Sequence, residues 1–99
     1  MRTKIVAGNW KMNCNLDESL HLLNELKLKD FSKSDAEIII APPFTNLYAL
    51  HQNLKDSPIQ LSSQNINENE SGAHTGEISP DMLKSVGAEY AIIGHSERR

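Results

Sequence analysis

Residues 37–61 read EIIIAPPFTNLYALHQNLKDSPIQL, and the hydrophobic period changes twice within this stretch. Glu37–Ala41 is aliphatic on consecutive positions, the pattern of a strand buried on both faces. After Pro42-Pro43, Leu47, Leu50 and Leu54 recur at helical spacing. Ile59–Leu61 then returns to strand length. A strand, a helix and a strand in that order imply a right-handed crossover between parallel neighbours.

The same alternation extends in both directions. Toward the N-terminus, Lys4–Ala7 reads as a strand, followed by a helix with Leu16, Leu20, Leu23 and Leu26 on one face. Asn15 with Glu18 supplies its N-terminal cap, each side chain reaching an otherwise unpaired backbone N–H. Toward the C-terminus, Ser79 caps a short helix, Pro80 takes its first turn, Leu83 and Val86 face inward and Gly87 stops it. Tyr90–Ile93 is a fourth strand. The fold class is therefore α/β, with four strands and three helices in a parallel sheet covered on both faces. Gln64–Ser79 breaks the rhythm: about sixteen residues rich in Asn, Glu, Ser and Gly form a long loop, either a solvated connection or a functional one.

Composition narrows the function. The 99 residues suffice for one small domain, with 38% hydrophobic and 23% charged residues. The net charge of −3 leaves no basic stripe for nucleic acid or an anionic membrane, and a small anionic substrate would need a local cation. Cys14 is the only cysteine, so no disulfide forms within the chain and a reducing compartment is expected. No apolar run approaches the roughly 20 residues of a membrane span. With no signal-peptide core at the N-terminus, the expected location is cytoplasmic. No His or Cys cluster has metal-ligand spacing and no glycine-rich nucleotide loop is present, so no cofactor is expected.

Ligands of parallel α/β folds bind beyond the carboxyl ends of the strands. Gly8-Asn9-Trp10-Lys11-Met12-Asn13 follows the first strand, Gln64-Asn65 the third, and Gly94-His95-Ser96-Glu97-Arg98-Arg99 the fourth. An amide, an ammonium and an imidazole thus converge on one end of the sheet, as a phosphate- or carbonyl-binding site requires. Taken singly, Lys11 also fits a solvated surface charge, His95 a structural role and Asn9 the closure of a turn.

Both hexapeptides resemble the first-strand and fourth-strand signatures of the triosephosphate isomerases. Ala41-Pro42-Pro43-Phe44, Gln64-Asn65 and Gly72-Ala73-His74-Thr75-Gly76-Glu77-Ile78-Ser79 fall between them in family order, so the resemblance covers the whole chain. It implies a TIM (β/α)₈ barrel, of which residues 1–99 supply the N-terminal half of a single domain. It also implies a cytoplasmic homodimer that interconverts dihydroxyacetone phosphate and D-glyceraldehyde 3-phosphate through an enediolate, a step of glycolysis and gluconeogenesis, without a cofactor. By the resemblance Asn9 and Lys11 contact substrate, and His95 polarises the carbonyl and shuttles protons. Ser96 and Glu97 support the pocket. Loop 64–79, with Thr75 near its tip, enters the partner's active-site region, and Cys14 lies in that interface. A neutral imidazole at the start of a helical turn is an established feature of this very family, and it comes with the resemblance.

The family's base is a glutamate far downstream, and its phosphate site is built by the last loops of the barrel. Neither lies within these residues, and Glu97 has a different place and role. The 99-residue chain alone is therefore expected to be inactive. Two other readings are a non-enzymatic half-barrel acting through association, and a different phosphate-handling barrel enzyme that shares this half.

Overall fold

The computed structural model describes residues 4–29 and 36–98. Arg99, the last residue of the fourth-strand hexapeptide, lies outside them. In chain order the elements are β1 (Ile5–Asn9), α1 (Leu16–Lys27), β2 (Glu37–Ala41), a 3₁₀ turn Phe44–Asn46 running into α2 (Leu47–Gln52), β3 (Gln60–Ser63), α3 (Pro80–Ser85), β4 (Tyr90–Ala91) and a 3₁₀ turn Ser96–Arg98. The strands form one sheet in the order β1-β2-β3-β4, every pair parallel. Sequential order is what successive βα units lay down along a barrel wall.

Helices α1 and α3 start where their cap residues dictate. The Asn15 side chain accepts from the Glu18 N–H at 2.9 Å and the Glu18 carboxylate accepts from the Asn15 N–H at 3.0 Å, so two orphan donors are satisfied reciprocally. The Ser79 hydroxyl accepts from the Met82 N–H, and Pro80 occupies the first turn, where a missing N–H costs nothing. Gly87 ends the helical segment at φ 92°, and a Cβ there would collide with the His51 ring.

One core lies between the sheet and its helices. Leu23 of α1, Leu47 and Leu50 of α2 and Leu83 of α3 pack with Ile40, Ile59 and Leu61. Burying such a side chain is worth about 1.5–3 kcal/mol. Leu54 joins this core although α2 ends at Gln52, because a turn closed by Leu54 N–H to His51 C=O carries it inward. Leu16 does not join: it is 44% exposed, at the first turn of α1.

Three strand limits differ from the sequence reading. β1 runs on through Gly8 to Asn9, and β3 runs on through Ser62 and Ser63, because backbone ladders do not need aliphatic side chains. β4 shortens to Tyr90–Ala91, though Ile92 N–H still bonds Ser63 C=O at 3.0 Å. Coverage of both faces holds for the interior of β2 and β3. Edge strand β1 is exposed from Ile5 to Asn9, since no element packs over it among the described residues.

Candidate active site

The site is assembled from the C-terminal ends of β1, β3 and β4. Asn9 is the last residue of β1, and its Oδ1 accepts from the Lys11 N–H at 2.9 Å. That bond closes a short Asx turn, so the bland reading of Asn9 and the functional one are compatible. Lys11 adopts φ 57°, a left-handed conformation that costs a non-glycine residue about 1–3 kcal/mol. The turn sends its ammonium across the sheet end, where Nζ lies 3.4 Å from Oε2 of Glu97.

Glu97 sits in the 3₁₀ turn after β4, two residues beyond His95. Its backbone N–H donates to His95 Nδ1 at 3.0 Å. A ring nitrogen that accepts this bond holds a lone pair, so the ring hydrogen is on Nε2. The Glu97 carboxylate is also near Nδ1, with Oε1 at 3.5 Å, but the shorter backbone contact is the hydrogen bond. Both Lys11 and Glu97 side chains are more than half exposed, so their ion pair adds little stability. Its consequence is directional: one residue gathers the cation from β1 through its carboxylate and the imidazole from β4 through its backbone N–H.

The third strand contributes Gln64, whose Nε2 donates to Lys11 C=O and to Ala41 C=O, each at 2.8 Å. The long loop after it is tied down by Glu77. That carboxylate accepts from the side chains of Asn65, Asn67 and Arg98, each at 3.2 Å, and Asn67 N–H bonds Ile78 C=O at 2.8 Å across the loop base. Thr75 stands exposed on a tight turn closed by Glu77 N–H to His74 C=O. Cys14 is half-buried and also left-handed, at φ 76°, with its carbonyl accepting from Asn46 Nδ2 at 3.0 Å. Ser96 is exposed on the turn after His95.

A cavity of about 340 Å³ opens beside this cluster, lined by Lys11, Phe44, Gln64, Asn65, Ile78 and Arg98. Two cations line it, Lys11 and Arg98, each paired with a carboxylate, Glu97 and Glu77 respectively. Another cavity, of about 320 Å³, is lined by His51, Lys55, Gln60 and Glu89 and holds none of these groups. Among the described residues, no three His, Cys, Asp or Glu side chains are grouped as a metal would need.

Lys11, His95 and Glu97 meet at one end of the sheet with Asn9 closing the turn before Lys11, whereas Thr75 stands on loop 64–79 and Cys14 lies farther along the β1–α1 loop. The sequence does not announce Gln64 and Glu77 as fasteners. Gln64 directly after a strand was the available signal, but an amide there does not announce which carbonyls it will meet.

Residues 4–99 match the family model described as triosephosphate isomerase. Among curated relatives, the triosephosphate isomerases of Flavobacterium johnsoniae and Flavobacterium psychrophilum are 52% and 54% identical over 99 residues. That of Dictyoglomus turgidum is 48% identical over the same length. Each alignment takes in 100% of this chain and 40% of the relative, so the chain spans about two fifths of the length of the curated relatives it matches.

Proposed function

The chain belongs to the triosephosphate isomerase family, and we propose that the protein carrying it interconverts dihydroxyacetone phosphate and D-glyceraldehyde 3-phosphate. One observation supports this most: Lys11 and His95, 84 positions apart in sequence, are both gathered by Glu97 at one end of the sheet.

In this reading residues 1–99 form the N-terminal half of a single (β/α)₈ barrel. Isomerisation moves a proton between two carbons through an enediolate, so negative charge develops on the carbonyl oxygen. Lys11 and Asn9 hold the substrate and oppose that charge, as preorganised donors do. His95 presents Nε2–H to the oxygen and carries protons between the two oxygens. Ser96 and Glu97 support the pocket. The base that removes the carbon-bound proton must stand within about 3 Å of it. Glu97, already engaged by Lys11 and by the His95 turn, is not given that role. By the family pattern the base and most of the phosphate site come from residues beyond these, so residues 1–99 alone are inactive.

The protein acts as a cytoplasmic homodimer in this account, with loop 64–79 and Thr75 reaching the partner and Cys14 at the interface. Neither a cofactor nor nucleic acid takes part. Among the described residues no helix is long and apolar enough to cross a membrane. The exposure of Ile5 and Val6 on edge strand β1 favours a second reading for the 99 residues in isolation, association through that edge.

The test is Lys11→Met in the full-length protein, assayed by coupled conversion of either triose phosphate. The expected loss in kcat/KM is about 10²-fold or more. A variant within a factor of two of wild type would return Lys11 to the solvated surface.

A further inference from the structure

Among the described residues, Lys11 and Cys14 are the two non-glycine positions with positive φ, at 57° and 76°. Both lie in the loop between β1 and α1. Nothing in their side chains favours that conformation, which glycine or asparagine adopts far more readily. The surroundings must impose it, and the hydrogen bonds show how. The Cys14 carbonyl accepts from Asn46 Nδ2, an amide 2% exposed that also donates to Ser19 Oγ at 2.8 Å. The Lys11 carbonyl accepts from Gln64 Nε2. Each left-handed residue is thus held by a carboxamide from a different βα connection.

At Lys11 the hold is double. Its N–H is bound by Asn9 Oδ1 and its C=O by Gln64, so both backbone groups are fixed. Gln64 is anchored in turn, since its second amide hydrogen goes to Ala41 C=O, which also accepts from Trp10 N–H at 3.0 Å. Both amide hydrogens of Gln64 are spent on backbone carbonyls, leaving that nitrogen no donor for a ligand. Were Lys11 to relax to a right-handed or extended conformation, its Cα–Cβ bond would swing and Nζ would leave Glu97.

We propose that Gln64 is a positioning residue for Lys11: its carboxamide pins the strained backbone that aims the ammonium at the substrate. This rests on the reading of Lys11 as a substrate contact. Among neutral side chains only a carboxamide supplies two donors from one nitrogen, so a side chain of similar volume without them releases the lysine.

The test is a double-mutant cycle in the full-length protein with Gln64→Met, Lys11→Met and the pair. Readouts are kcat/KM in the coupled assay and the dissociation constant of inorganic phosphate. Gln64→Met should lower kcat/KM by about 10-fold or more, because misplacing a catalytic group by about 1 Å costs up to about 10²-fold. It should also weaken phosphate binding. In the Lys11→Met background both losses should shrink to less than about twofold, the non-additivity expected of residues that act as a unit. If Gln64→Met yields too little folded protein, Gln64→Asn carries the same cycle with the amide withdrawn by one methylene. Equal losses in both backgrounds, or a silent Gln64→Met beside a strong Lys11→Met defect, would overturn the proposal and leave the reading of Lys11 standing. A silent Lys11→Met would remove both.

Discussion

The backbone N–H of Glu97 donates to Nδ1 of His95 at 3.0 Å, and this bond decides which edge of the imidazole can act as a donor. With Nδ1 occupied as an acceptor, the hydrogen sits on Nε2, where the proposed electrophile would need it. Nitrogen NMR of histidine-labelled full-length protein at pH 7 should show His95 with a bare Nδ1 and a protonated Nε2. A doubly protonated ring, or a proton on Nδ1, would contradict both the bond and the role.

Tyr90 makes a different use of a carboxylate. Its hydroxyl donates to Glu37 Oε2 at 2.7 Å, joining β4 to β2 across β3. That hydrogen bond, then burial and the nearby charges of Glu37 and Glu89, push the phenol above its ordinary value of 10.0. The folded state therefore holds the phenolic proton more tightly than the unfolded state does. This contribution to stability is complete below pH 10.0 and is lost as the pH rises through the higher folded value. Tyr90→Phe should lower the urea midpoint at neutral pH and flatten its fall above pH 10.0. An unchanged alkaline limb in the variant would mean that another group sets it.

Gly87 and Gly76 separate two reasons for glycine. Both have positive φ, at 92° and 86°, but a Cβ at Gly87 meets the His51 ring while nothing lies within 4 Å at Gly76. Gly76→Ala should cost about 1 kcal/mol of backbone strain, and Gly87→Ala measurably more because His51 must move. Urea unfolding of both variants is the check. Equal costs would show that the His51 ring swings away freely.

Loop 64–79 is held on the protein by Glu77, so its tip can be altered without unfastening its base. Deleting residues 68–75 while keeping Gln64, Asn65 and Glu77 should give a folded monomer with poor activity. Sedimentation decides it, because a shortened protein that remains a dimer would place the interface elsewhere.

Much of this fold is legible in the sequence, and what is not has a physical cause. The Asn15–Glu18 capping box and the Ser79-Pro80 start are local, so the residues that make them lie within four positions of one another. Leu23, Leu50 and Leu83 announce the core by period. β1 and β3 extend past their aliphatic runs because strand pairing uses backbone groups that Gly8, Asn9, Ser62 and Ser63 carry like any residue. At the site, Asn9, Lys11 and His95 are readable because each stands at or just beyond the carboxyl end of a strand. The fasteners Gln64, Asn46 and Glu77 are not, since their partners lie 53, 32 and up to 21 positions away.

Under the proposed function, isomerisation runs on His95 and Lys11 without a metal. Its most direct test is the rate at which the full-length protein converts D-glyceraldehyde 3-phosphate to dihydroxyacetone phosphate after exhaustive chelation, beside His95→Ala. Turnover should survive the chelator and fall by about 10²-fold or more in His95→Ala, the usual worth of a positioned acid–base group. Wild-type turnover in His95→Ala, or activity that vanishes with the chelator and returns with a divalent ion, would contradict it.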